Sequence, residues 1–113
     1  MQYELRLNHN GYLNKSGNNI IYHRTKEVVQ MGIGSVKDHS MYIIDFLSLY
    51  EGKGFAKASI SFLFKKLPKI DCITLKCKDH ILPFWQHLGG EITSSDPYYN
   101  TIIIPRSKIN LVI

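Results

Sequence analysis

The stretch Met41-Tyr42-Ile43-Ile44-Asp45-Phe46-Leu47-Ser48-Leu49, followed by Tyr50-Glu51-Gly52-Lys53-Gly54-Phe55-Ala56, decides the fold. Its first part is a nearly continuous apolar run, which predicts a strand covered on both faces, as in the middle of an α/β sheet. From Ala56 the period changes. Ala56, Ile60, Leu63 and Leu67 recur at i, i+4, i+7 and i+11, a helical stripe aimed at a sheet, with Lys57, Ser61 and Lys65 on the other side. Pro68 stops the run. Between strand and helix, Gly52 and Gly54 allow backbone N–H groups to approach an anion where a helix offers unpaired donors and partial positive charge. The ligand chemistry expected there is a phosphate or pyrophosphate. Two glycines before a helix also make an ordinary turn, and the motif is neither a P-loop nor a dinucleotide G-x-G-x-x-G.

Outward from this segment the chain reads ββββ-α-β-α-ββ. Residues 2–7 alternate weakly, and Ile20 to His23 and Val28 to Ile33 form two strands joined by a turn at Arg24-Thr25-Lys26-Glu27. After the helix, Asp71 to Cys77 is a strand, and a short helix starts between Asp79 and Leu82 with Pro83 in its first turn. That helix carries Phe84, Trp85 and Leu88 and ends at Gly89-Gly90. Glu91 to Thr93 and Tyr99 to Ile104 make a hairpin around Ser95-Asp96-Pro97. The central strand-helix-strand gives a parallel pair with a right-handed crossover.

The 113 residues suit a single domain, 1–113, and 44% hydrophobic with 20% charged residues is ordinary for a globular chain. The longest apolar runs fall far short of the ~20 residues that cross a bilayer, so no membrane is expected. Met1 to Arg6 has neither the basic nor the apolar region of a signal peptide. Cys72 and Cys77 would point to opposite faces of one strand, which disfavours a bridge and places the chain in the reducing cytoplasm. The five histidines show no metal-ligand spacing, and no metal site is expected. Lys and Arg number 14 against 9 Asp and Glu, a formal charge of +5. Seven of the eleven lysines lie within residues 53–78 but are not interleaved with exposed aromatics, so nucleic acid is disfavoured as a partner.

Glu51-Gly52-Lys53-Gly54-Phe55-Ala56 resembles the Q/R-x-x-G-x-G/A signature of the GCN5-related N-acetyltransferase (GNAT) superfamily, except at its first position. Phe84-Trp85-Gln86-His87-Leu88-Gly89-Gly90 is similar to the family's second element, and the spacing and the intervening strand agree. The resemblance covers roughly residues 20–104. It implies the acyl-CoA N-acyltransferase fold, an α+β domain with a mixed, mostly antiparallel sheet, a splayed central parallel pair and two main helices. It implies acetyl-CoA (CoA) as cofactor, with its pyrophosphate on the amides of Gly52, Lys53, Gly54, Phe55, Ala56 and Lys57. Phe46, Leu47, Ser48 and Leu49 would pair with the pantetheine arm, Trp85 would pack along it, and an amine would attack the thioester directly.

Three departures from the family pattern shape the expectations. Glu51 replaces Gln or Arg; like charges ~5 Å apart repel by about 1 kcal/mol in water and a few at intermediate dielectric. Trp85 replaces a Tyr whose hydroxyl protonates the thiolate, and an indole N–H is no practical acid. Water, His87, Tyr98 or Tyr99 is left to supply that proton. For the base, Asp45 is the leading candidate, because burial in an apolar strand is what makes a carboxylate useful as one; His39 and His80 rank below it. Lastly, residues 8–19 are too short for the two helices usual between the first two strands. The acceptor side is then open to a large amine such as a protein lysine, or to closure by a second copy of the chain. The apolar tail Ile109 to Ile113 would serve such an interface or add an edge strand. The leading function is an N-acetyltransferase acting on an unidentified amine. The alternative is a catalytically degenerate domain that binds acyl-CoA or a protein partner.

Overall fold

The computed structural model describes residues 3–109. Seven strands form one sheet: β1 (Leu5–Leu7), β2 (Asn18–His23), β3 (Lys26–Lys37), β4 (Ser40–Ser48), β5 (Cys72–Cys77), β6 (Glu91–Ser95) and β7 (Asn100–Pro105). Helix α1 (Phe55–Lys66) joins β4 to β5, and α2 (Leu82–His87) follows β5. The spatial order is β1-β2-β3-β4-β5-β7-β6, antiparallel except for the β4–β5 pair. Only a three-residue turn, His9–Gly11, interrupts the chain between β1 and β2, so the two helices expected to be missing there are missing.

Local chemistry accounts for the elements. The β2–β3 hairpin turns at Arg24-Thr25 alone, with Lys26 and Glu27 already in β3, which corrects the longer turn expected from sequence. Arg24 takes a left-handed φ of 59°, as tight hairpin turns require. In α1 the buried face is Phe55, Ser59, Ile60, Leu63 and Phe64, with Ala56 and Leu67 half-buried at its margins. Ser61, expected toward solvent, is buried as well. Arg106 closes the end of α1: Nη2 donates to the Phe64 and Leu67 carbonyls at 2.8 and 2.7 Å, and Nε donates to Ile70 at 2.8 Å. These contacts satisfy carbonyls that the helix itself leaves unpaired.

Both helices lie on one face. His23 packs its ring against Phe55 of α1, and Phe46 meets Trp85 of α2, so the buried sides of β2, β3 and β4 all look toward the helices. Among the described residues the other face carries no helix. The second half of β4 is therefore not covered on both faces as its apolar run predicted: Ile44 and Leu47 are 51% and 53% exposed. Cys72 and Cys77 are free thiols on opposite faces of β5, as their spacing implied, and burial raises both above the ordinary thiol range. No described helix is long and apolar enough to cross a membrane. Of the tail, residues 110–113 lie outside the described residues.

Candidate functional site

The parallel pair is short. β4 and β5 are in register from Ser40↔Cys72 to Ile43↔Leu75, and then they part. The cause lies at the next residue. On the β3 side Gly32 faces Asp45 and Ile33 faces Ile43, so Ile44 has no partner and forms a bulge. A bulge bends its strand and sharpens its twist, and here it swings β4 away from β5 through Ser48. It also puts Ile44 and Asp45 on the helix-free face while Phe46 returns to the helix side. A V-shaped gap results. Leu49 donates its N–H to the Val28 carbonyl at 3.0 Å. Because backbone groups alternate between neighbours along a strand, Leu47 also turns toward β3, leaving Phe46 and Ser48 to face the gap. Of the four residues expected to pair with a ligand, the backbone thus offers two. Trp85, 4% exposed, meets Phe46 edge-on at 5.2 Å between ring centroids and Phe84 at 5.0 Å.

At the end of β4 the chain enters the glycine turn. Gly52 and Gly54 have φ of +74° and +77°, a region L side chains rarely adopt, and Gly54 leads directly into α1. No side chain caps that terminus and no acid lies in its first turn, so the amides of Phe55, Ala56 and Lys57 remain free for a ligand. A Cβ on Gly52 would meet nothing within 4 Å, which leaves room above the turn. Gly52, Lys53, Gly54, Phe55, Ala56 and Lys57 are thus brought together as expected, but the Phe55 side chain is buried and only its N–H faces out. Lys53, Lys57 and Glu51 are exposed.

Sequence reasoning missed the group that holds this turn. The Tyr3 hydroxyl donates to the Lys53 carbonyl, and its ring packs on Phe55 at 4.5 Å and His23 at 5.0 Å. Tyr50 stands 6.3 Å from Phe55 with Lys26 Nζ 5.0 Å from its centroid. Nothing in local spacing signals a contact between positions fifty residues apart.

The proton-transfer candidates separate. Asp45 is exposed on the helix-free face opposite Gly32, so the burial on which its role as base rested is not there. His39 sits at the closed end of the parallel pair, its Nδ1 2.9 Å from the Lys69 carbonyl and 3.9 Å from Asp71. His80 is exposed beyond β5, and His87 at the far end of α2. Tyr98 and Tyr99 occupy the β6–β7 turn, which the Cys77↔Asn100 pairing places at the end of β5 where the gap opens. Their N–H groups donate to Asp96 at 2.7 and 2.8 Å and hold its carboxyl below the usual range. No cluster of three metal-ligating side chains occurs among the described residues.

A mixed sheet with a bulged strand, a parallel pair that splays, and a glycine turn opening a helix defines the acyl-CoA N-acyltransferase, or GNAT, fold, and the chain has this fold. No protein-family profile and no curated protein matches the sequence, so the likeness rests on solved structures. The chain is similar to Campylobacter jejuni N-acetyltransferase PseH, with TM-score 0.64 and 11% identity over 79% of this chain and 67% of that one. PseH has also been solved in complex with acetyl coenzyme A. An acetyltransferase from Thermus thermophilus matches with TM-score 0.65 and 11% identity over 78% of this chain and 62% of that one. Mycobacterium smegmatis RimJ in complex with CoA-disulfide matches with TM-score 0.60 and 17% identity over 82% and 54%. The chain has the GNAT fold, and it covers about half to two thirds of these neighbours.

Proposed function

We propose that the protein is an acetyl-CoA-dependent N-acetyltransferase of the reducing cytoplasm that accepts a primary amine from its helix-free face. The observation that carries this reading is the continuity of gap and turn. Free backbone edges at Phe46 and Ser48 lead to the uncapped amides of Gly52 to Lys57, with Trp85 against Phe46. This matches a ligand with an amide-bearing arm and a pyrophosphate, and the open space above Gly52 admits it. When bound, acetyl-CoA supplies an activated acetyl thioester. Phe46 and Ser48 align the arm, the turn amides and Lys53 or Lys57 bind negative charge, and Trp85 excludes water.

The amine must lose a proton. Exposed Asp45 borders the bulge on the acceptor side, where its carboxylate attracts the cationic amine, and the proton leaves to water at this open face. Tyr98 and Tyr99 stand at the mouth of the gap, where a hydroxyl is a practical donor to a leaving thiolate. One observation favours the second reading, a domain that binds acyl-CoA without turning it over. Trp85, at the family's acid position, is locked into aromatic packing.

A thermal-shift titration with acetyl-CoA and CoA tests the cofactor. At 100 times the dissociation constant the fold should gain ~2.7 kcal/mol. No shift with either compound overturns both readings. A shift with thiol release across a panel of amines supports the transferase, whereas a shift without release assigns the binding domain.

A further inference from the structure

On the helix-free face, at the far edge of the sheet, lies a crevice of about 570 Å³ lined by Arg6, Asn8, His9, Asn10, Gly11 and Tyr22. Arg6 and Tyr22 are cross-strand partners, and the Arg6 Cζ stands 4.4 Å over the Tyr22 ring. The guanidinium is therefore oriented without being neutralised: Arg6 makes no ion pair among the described residues. Glu27, next along the same row beyond Tyr22, does not come within ion-pair distance of it. The crevice wall is a left-handed turn, with φ of 56° at His9, 59° at Asn10 and 85° at Gly11. Side chains seldom occupy that region, and two consecutive ones that do mark an over-determined backbone. Asn8 enforces it, exchanging bonds with Ile20 through its N–H (3.0 Å) and Oδ1 (3.1 Å) and accepting from Gly11 at 3.2 Å. The hydrogen bonds of this turn leave the His9 and Asn10 N–H groups unused.

The crevice also lies level with the gap. Leu7 faces Ile21, Ile21 faces Val29 and Val29 faces Ser48, so Asn8 lies level with Leu47 and Arg6 just past Ser48, toward Leu49. Asp45 and Leu47 look out from the same face. Three strand spacings separate β1 from β4, roughly 14 Å.

We propose that this crevice binds an anionic group, a phosphate or carboxylate, carried by the amine acceptor roughly 14 Å from its reacting nitrogen. A guanidinium together with two free amides is the donor set such an oxyanion takes. The acceptor assignment rests on the transferase reading; the anion site does not.

The test is an amide NMR titration of the full chain in the presence of CoA, first with inorganic phosphate. Saturable shifts confined to residues 8–11 and Tyr22 are expected, with affinity falling at least tenfold in Arg6→Gln. Asn10→Asp, which keeps a residue that tolerates the left-handed region, should abolish them while leaving Arg6 in place. No saturable shift in the unchanged protein, or binding undiminished in either variant, overturns the site. The second probe is 8-aminooctyl phosphate against 8-amino-1-octanol. The phosphate should move the crevice and the Ile44 to Leu47 amides together, and the alcohol should move neither at the same concentration. Shifts at the crevice alone overturn the acceptor assignment and leave the anion site standing. If CoA fails to move residues 52–57 while phosphate still moves residues 8–11, the cofactor reading fails and the crevice survives.

Discussion

A charge placed on the glycine turn should weaken CoA binding far more than the same shape without the charge. The pair to compare is Gly54→Asp and Gly54→Asn. Gly54 has φ +77° and ψ 7°, so any L side chain there is strained. A left-handed residue costs about 1–2 kcal/mol, with Asn and Asp at the low end. A Cβ at this position would lie 3.8 and 3.9 Å from Tyr3 ring and hydroxyl atoms, ordinary contact, so no clash is added. Both variants should therefore lose about 1 kcal/mol of stability, and this loss cancels in the comparison. What differs is electrostatic. A carboxylate on that Cβ would stand roughly 5 Å from an anion seated on the first-turn amides, and at an effective dielectric near 30 the repulsion is about 2 kcal/mol. That corresponds to roughly a 30-fold difference in Kd. Isothermal titration with CoA at low salt measures it, and the difference should shrink as salt rises. Dissociation constants within about threefold of each other would refute the placement of the anion on these amides.

Other outcomes follow from the same geometry. Trp85→Ala should cost ~3–5 kcal/mol in urea unfolding, and Trp85→Phe much less, because its role is to fill space against Phe46 and Phe84; a loss near zero for the alanine would contradict that packing. Tyr3→Phe removes the hydroxyl bond to the Lys53 carbonyl while keeping the stack on Phe55. It should cost ~0.5–1.5 kcal/mol of stability and weaken CoA severalfold by loosening the turn, and unchanged affinity would show that the turn holds itself. Asp96 has a folded-state carboxyl depressed by the Tyr98 and Tyr99 N–H bonds. The order it gives the β6–β7 turn is complete above the unfolded-state value and is lost as pH falls through the folded one. Hydrogen exchange at Tyr98 and Tyr99 should accelerate over that acid window and be pH-insensitive there in Asp96→Ala, beyond the intrinsic chemistry.

The parts of the fold legible in the sequence were those set by local period. The α1 stripe, the proline start of α2 and the glycine turn each depend on residues within a few positions of one another. Coverage of β4 was not legible, because an apolar run does not say what lies on each side of it. Here the residues that would build a second cover, 8–17, are spent on the strained turn and its asparagine bonds. The same limit explains Asp45. Its apolar neighbours implied burial, but exposure is decided by the bulge and the helix-free face. Pairing of Tyr3 with the Lys53 carbonyl is a product of the folded sheet, which brings the first strand beside the helix α1 terminus.

The bulge at Ile44 links these features, and it can be removed without turning the strand over. With Ile44 present, Ile43 faces the helices, Ile44 and Asp45 both face away, and Phe46 faces the helices again. Deleting Ile44 restores strict alternation, with Ile43 in, Asp45 out and Phe46 in, so no buried side chain changes face. The Gly32↔Asp45 and Ile33↔Ile43 pairings become neighbours on both strands instead of on β3 alone. The only side chain lost is one that is half exposed. A straightened β4 would continue beside β5, where Lys76 and Cys77 already follow the last parallel pair at Leu75, and new ladder bonds would close the gap. Ile44 deletion should thus leave urea stability unchanged or higher while abolishing the thermal shift with CoA. A deletion that unfolded the protein would show the bulge to be structural. One that kept both stability and CoA binding would show that the splay does not come from the bulge and that the ligand does not need it.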